Sequence, residues 1–174
     1  TGVQTCALPI FCNRTMKFKN WQLTLFKDND AIVFISFADD GVGEFSLQYP
    51  RMKLQYAKIP ELRYFEQYLS GERVDFKRLS VAYLSGTPFQ ISVWHALHEM
   101  GKDEKLTYQQ LAQRAGHPTA IRAVASAVGK NPLTIINPCH RILPKNGGVG
   151  QYRYGQALKN LLISLDDSET TQYF

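Results

Sequence analysis

Residues 106–128 read "LTYQQLAQRAGHPTAIRAVASAV", and this stretch decides how the second half of the chain folds. Thr107 three residues ahead of Gln110 is a capping box, so a short helix starts there and runs through Ala115, with Gly116 as its C-terminal stop. After the turn GHPT a further helix is predicted over 120–128, its apolar face made by Ile121, Val124, Ala125 and Val128. Two short helices joined by a tight turn read as a helix-turn-helix. The other face of the later helix carries Ala120, Ala123 and Ala127, with Arg122 beside them. Alanines are good helix formers anywhere. In a basic region such a stripe also suits a helix that approaches a groove closely while reading few base edges, which implies weak sequence preference.

Working outward, Thr87 and Pro88 start an earlier helix as N-cap and first residue, and Phe89, Val93, Leu97 and Met100 share its buried face. Leu158, Leu161, Leu162 and Leu165 predict a last amphipathic helix that ends in the acidic Asp166, Asp167 and Glu169. The first half has a different rhythm. WQLTL (21–25) alternates, KDND is a turn, AIVFISF (31–37) is an apolar β-branched run, and DDGVG is a turn ahead of a third strand over 44–49. Pro60 opens a helix with an apolar stripe of Leu62, Phe65 and Leu69, stopped at Gly71, and a short strand is expected around Val74–Phe76.

The expected organisation is therefore α+β. Residues 1–15 lack periodicity and read as a leader outside the fold, non-native or disordered. Residues 16–84 form a small α/β domain, 85–166 a mostly helical domain, and 167–174 an acidic tail.

With 174 residues and 44% apolar content the chain can bury a core. Its longest apolar runs, such as AIVFI (31–35), are far too short to span a bilayer, and the N-terminus lacks a secretion pattern. Three cysteines without a paired spacing fit a reducing compartment. Lys and Arg outnumber Asp and Glu by nine to three in 85–165 but only by eleven to nine in 1–84, a bias that suits a polyanionic partner.

The same basic region holds NPCHRI (137–142). Free cysteine is commonly just a small buried hydrophobe. Here Pro138 constrains the approach to Cys139, and His140 with Arg141 would favour the thiolate if the backbone turns so that Cys139 and His140 can cooperate. A structural zinc site is disfavoured, because only Cys139 and His140 are adjacent and His95, His98 and His117 are scattered. A cysteine hydrolase stays open, since it too pairs thiolate with imidazole.

In order, GTPFQISVWHAL (86–97), LTYQQLAQRAGHPTAIRAVASAV, NPLTIINPCHRI (131–142) and GQYRYGQALKNLL (150–162) resemble the successive motifs of the O6-alkylguanine-DNA alkyltransferase family, the methylated-DNA:protein-cysteine methyltransferases. The resemblance covers about 86–166; residues 16–84 fit the family's ribonuclease-H-like N-terminal domain only in size and pattern. It implies that Cys139 accepts an alkyl group from guanine O6 once and keeps it, without cofactor or metal. His140 would act through a water as base, and a carboxylate at Asp166 would orient it. Arg122 would fill the stack vacated by a flipped base, with Ala120, Ala123 and Ala127 against the minor groove. Tyr108 would sit by the nucleotide and help protonate the departing guanine, Asn131 would brace the turn bearing Cys139, and Tyr152, Arg153 and Ile142 would line the base pocket.

The implied partner is double-stranded DNA bearing O6-alkylguanine, with O4-alkylthymine an open second substrate, acted on by a monomer in the cytoplasm, on the nucleoid, or in a eukaryotic nucleus. The chain departs from the family pattern at Asn137 (usually apolar), at Arg153 (Ser in some members), in MGKDEK (no proline), and at Asp166 (typically Glu). A lesion-binding protein that only flips the base and recruits other factors is the alternative; its members replace the acceptor cysteine, so Cys139 argues against it. A helix-turn-helix regulator is disfavoured by the alanine face.

Overall fold

The computed structural model describes residues 10–168. Its first half is a four-stranded sheet: β1 (Ile10–Phe18), β2 (Trp21–Asp28), β3 (Ala31–Ser36) and β4 (Lys53–Tyr56), in the order β3-β2-β1-β4. β1–β2 and β2–β3 are antiparallel hairpins closed by two-residue turns, whereas β4 lies parallel to β1. Patterned structure thus begins at Ile10, not Met16: Phe11 is buried and Cys12, Asn13 and Arg14 pair with Lys27, Phe26 and Leu25. Non-alternating residues form this strand because tertiary packing covers them on both sides. Residues 1–9, with Cys6, lie outside the described residues.

The strand expected over 44–49 is instead helix α1 (Gly41–Gln48). Asp40 caps it by accepting from Gly43 N at 2.8 Å. The helical spacing of Phe45 and Tyr49 wins over the apparent alternation: both rings are buried, whereas Leu47, which a strand would have hidden, is 87% exposed. A Cβ on Gly41 would meet Thr24 Oγ1 at 2.6 Å, so a glycine is needed for α1 to lie this close to β2. Phe11, Phe26, Val33, Phe34, Phe45 and Tyr49 pack together between α1 and the sheet.

The helix expected from Pro60 starts two residues later as α2 (Leu62–Leu69), and the strand expected at Val74–Phe76 is a 3₁₀ turn, Phe76–Arg78, capped by Asp75. The chain instead runs along β3 a few residues further on, through Ile32 N to Ser80 O at 2.9 Å and Ala82 N to Ile32 O at 3.1 Å.

The second half comprises α3 (Pro88–His98), β5 (Leu106–Thr107), α4 (Tyr108–Arg114), α5 (Ile121–Gly129), β6 (Ile142–Leu143) and α6 (Gln156–Asp167). Both capping boxes, Thr87–Gln90 and Thr107–Gln110, are formed, and Gly116 follows α4 at φ 80°. α3, α4 and α5 share a core of Val93, Trp94, Leu97, Leu111, Val124 and Val128. The halves also share one: Leu133, Ile135, Leu158 and Leu162 pack with Leu23, Ile35, Phe65 and Leu69. The sheet is thus covered on one side by α1 and on the other by α2 and the segments flanking Cys139. No helix among the described residues is long and apolar enough to cross a membrane.

Candidate active site

Every residue from Asn131 to His140 is buried, an unusual fate for a segment between two elements. Its polar groups must therefore be satisfied internally. Asn131 Oδ1 accepts from Leu133 N at 3.1 Å, and its Nδ2 donates to Asn137 O at 3.0 Å. The Asn137 amide donates to Asn131 Oδ1 (3.1 Å) and to the Tyr83 hydroxyl (3.0 Å), which leaves its Oδ1 to accept from His98 Nδ1 (3.1 Å). Asn137 is thus tolerated where an apolar side chain is usual because every polar atom it brings is paired. Ile135, at the bend, sits at φ 76°, a conformation costing a β-branched residue about 1–3 kcal/mol and sustained by the burial around it.

This framework delivers a 3₁₀ turn, Cys139–Arg141, that solves the facing problem of adjacent residues. Cys139 looks into a cavity of about 410 Å³ lined by Tyr108, Asn131, Thr134, Tyr152, Arg153, Tyr154 and Lys159 among others. His140 points the other way, wholly buried, its Nε2 2.8 Å from Asp166 Oδ2. Asp166 also accepts from Arg141 Nε (2.7 Å) and from the Tyr68 hydroxyl (2.9 Å). Although one methylene shorter than Glu, Asp166 bonds His140 directly. Arg141 is therefore paired with Asp166 and not with the thiol. Asp167 pairs with Lys105 at 2.6 Å, and Glu169 lies outside the described residues.

Electrostatics follow from this geometry. Burial pushes the Cys139 thiol up, opposed by hydrogen bonds from Asn131 and Tyr152 and by the Lys159 charge. Burial pushes the His140 imidazole down, opposed by Asp166. Burial alone would raise Asp166, yet the bonds from His140 and Arg141 hold it well below the usual carboxylate range. An ionised Asp166 fixes the proton on His140 Nε2, so Nδ1, buried and without a hydrogen-bond partner among the described residues, carries the lone pair. Burial, then the proximity of Cys139, raises Tyr108.

Three expected assignments change. Ala127 is 2% exposed and faces the helical core, its carbonyl accepting from Trp94 Nε1 at 2.9 Å. Ile121, assigned to the buried face, is 38% exposed. The true outer face of α5 is Arg122, Ala123 and Ser126, because the helix docks through Val124, Ala127 and Val128; Ala120, its N-cap, is half-buried. Ile142 does not line the cavity: β6 pairs with β5, and its side chain joins the helical core.

Sequence reading missed Tyr68 and Lys159. Lys159 is fully buried, with Nζ donating to Ile142 O at 2.8 Å. A lysine beside Leu158 and Leu162 on an apolar helical face was a legible anomaly. Among the described residues no group of His, Cys, Asp and Glu could hold a metal ion.

A buried thiol beside a His–Asp pair, opening onto a cavity next to paired short helices, is the geometry of a reactive-cysteine protein. The family described as "6-O-methylguanine DNA methyltransferase, DNA binding domain" matches residues 88–168. The inducible methylated-DNA–protein-cysteine methyltransferase of Bacillus subtilis (strain 168) is 31% identical over 165 residues, 90% of each chain. That of Haemophilus influenzae is 34% identical over 145 residues, 83% of this chain and 80% of its own. A crystal structure of Mycobacterium tuberculosis OGT in complex with DNA superposes with a TM-score of 0.77 at 27% identity, covering 89% of this chain and 92% of that one. The chain belongs to the methylated-DNA–protein-cysteine methyltransferase family.

Proposed function

We propose that this protein repairs DNA by direct reversal, transferring an alkyl group, methyl foremost, from guanine O6 to Cys139 in a single turnover. The observation that carries the reading is the placement of Cys139 at the wall of the cavity with His140 and Asp166 behind it. The thiol proton passes through a water to His140 Nδ1, and Asp166 stabilises the imidazolium. Sγ then attacks the alkyl carbon, the S–C bond forms as the C–O6 bond breaks, and the electron pair leaves on guanine. Tyr108, at the cavity wall, supplies a proton to the departing base. A thioether does not hydrolyse readily, so the protein is consumed, and no step calls for a cofactor.

DNA reaches the site through α4 and α5, read as a helix-turn-helix, and the four-stranded sheet is read as ribonuclease-H-like. Arg122 and Ala123 on the outer face of α5 suit a minor-groove approach, Arg122 filling the space left by the flipped guanine. The protein acts as a monomer on duplexes bearing O6-alkylguanine.

The test is incubation with a duplex containing O6-methylguanine followed by peptide mass measurement. The parent gains one methyl group on Cys139. Cys139→Ala gains none yet still binds the duplex. An adduct on Cys6 or Cys12 would overturn the assignment, and binding by the parent without transfer would favour a lesion-binding protein.

A further inference from the structure

The cavity is floored by the buried segment around Cys139, and its outer wall is made by residues 151–154 at the end of the loop between β6 and α6. At Gly147 and Gly148, both at positive φ, nothing among the described residues lies within 4 Å of where a Cβ would be, so little packing is seen on the loop there. Near its end, Arg153 Nη2 bonds Glu44 Oε1 at 2.7 Å, and the Tyr154 hydroxyl bonds Glu44 Oε2 at 3.2 Å. Both residues line the cavity. Glu44 itself is fixed: it sits on α1, which Gly41 brings against β2, beside the buried Phe45, and its Oε2 accepts from Ser36 Oγ at 2.5 Å. The carboxylate belongs to a well-packed element of the first half, so its bonds help to position the end of the loop, beside the packing of Tyr154 against Phe37.

We propose that Glu44 is a specificity-determining positioning residue: through Arg153 and Tyr154 it holds the outer wall of the Cys139 cavity inward and so limits the size of the alkyl group transferred. The inference rests on alkyl transfer to Cys139. The pair is partly shielded, with side-chain exposures of 27% for Arg153 and 21% for Glu44, so its bonds outweigh those of a fully exposed ion pair. The Arg153 guanidinium also lies 5.7 Å from the Phe34 ring centroid and 5.4 Å from that of Tyr154, so Glu44 fixes a head group already seated on two rings. So held, it stays part of the cavity wall.

The experiment compares single-turnover rates on two duplexes of identical sequence, one with O6-methylguanine and one with O6-benzylguanine, for the parent, Glu44→Gln, Glu44→Ala, Arg153→Ala and Glu44→Ala/Arg153→Ala, with melting curves to confirm folding. Loss of the charge-assisted bonds should raise the benzyl-to-methyl rate ratio by about tenfold in Glu44→Ala and less in Glu44→Gln, which keeps part of the hydrogen bonding. Because Glu44 acts largely through Arg153, the double variant should exceed Arg153→Ala by less than about threefold. A ratio unchanged or lowered in folded Glu44→Ala and Glu44→Gln would overturn the role of Glu44 alone. Failure of the parent to methylate Cys139 would overturn the underlying reading as well.

Discussion

The two sides of the catalytic turn are built on opposite principles. Behind Cys139, His140, Asn131 and Asn137 are buried and bonded to named partners, and Asp166 holds three donors at once. In front, α5 offers Arg122, Ala123 and Ser126 to solvent, small or flexible side chains with no comparable network. A buried polar network tolerates little, because any group that loses its partner keeps its desolvation cost. A bland outer face tolerates much, because DNA affinity is spread over many phosphate contacts. Substitutions behind the thiol should therefore change its reactivity, and those in front should change access to it.

The largest effect should come from Asp166→Asn. It removes the anion that fixes the proton on His140 Nε2 and stabilises the imidazolium, so single-turnover transfer should fall by about 100-fold. The pH profile separates this from a structural loss. Transfer needs neutral Nδ1, so the parent rate declines on acidification through a His140 pKa lying below the usual imidazole range. Asp166 raises that pKa, so Asp166→Asn should move the acid limb to still lower pH while lowering the rate throughout. Asp167→Asn, which only breaks the surface pair with Lys105, should leave both unchanged. Equal losses in the two variants would break the distinction between network and surface.

How much of this was legible in the sequence follows the same division. The N-cap at Thr87, the capping box at Thr107 and the stop at Gly116 are local signals, and the structure forms them where the residues stand. NPCHRI lies in contiguous sequence, so Cys139 and His140, the proposed nucleophile and base, could be singled out together. Tyr68 could not, because its hydroxyl meets Asp166 from 98 positions away and nothing near it marks that partnership. Glu44 was hidden twice, since its segment also imitates a strand. The docked face of α5 was misjudged: it runs through Val124, Ala127 and Val128, which puts Ala127 inward and Ile121 outward. Helix phase is set by docking, and a run of alanines and valines fixes it poorly.

A moderate effect belongs to the front. Arg122→Ala should slow repair in duplex DNA by about tenfold, because the flipped base is no longer held out by a side chain in the stack. In single strands, where no stack needs filling, the rate should stay within about twofold. The salt dependence of duplex binding should be nearly unchanged if, as proposed, Arg122 enters the stack and does not neutralise a phosphate. Equal slowing on both substrates would place Arg122 in the chemistry and erase the contrast between the two sides.

The smallest effect should come from Tyr68→Phe, which tests whether the network behind the thiol extends into the first half. The Tyr68 hydroxyl donates to Asp166 Oδ1, on the carboxylate whose Oδ2 holds His140 and Arg141. Phenylalanine keeps the ring packing against Phe76 and removes only the hydroxyl. Asp166 then retains two donors, stays ionised and stays in place, so the catalytic pair survives. What is lost is one bond that stops the carboxylate rotating away from His140, and transfer should slow by about fivefold, less than the full worth of a hydrogen bond to a charged group because two donors still hold Asp166. Because the lesion lies wholly behind Cys139, the slowing should be the same on duplex and single-stranded substrates and duplex affinity should not change, the reverse of Arg122→Ala. Combined with Asp166→Asn, Tyr68→Phe should add almost nothing, since the hydroxyl acts only through that carboxylate. Additive losses in the double variant would mean that Tyr68 influences His140 directly across their 3.5 Å separation, and the first half would then reach one step closer to the chemistry.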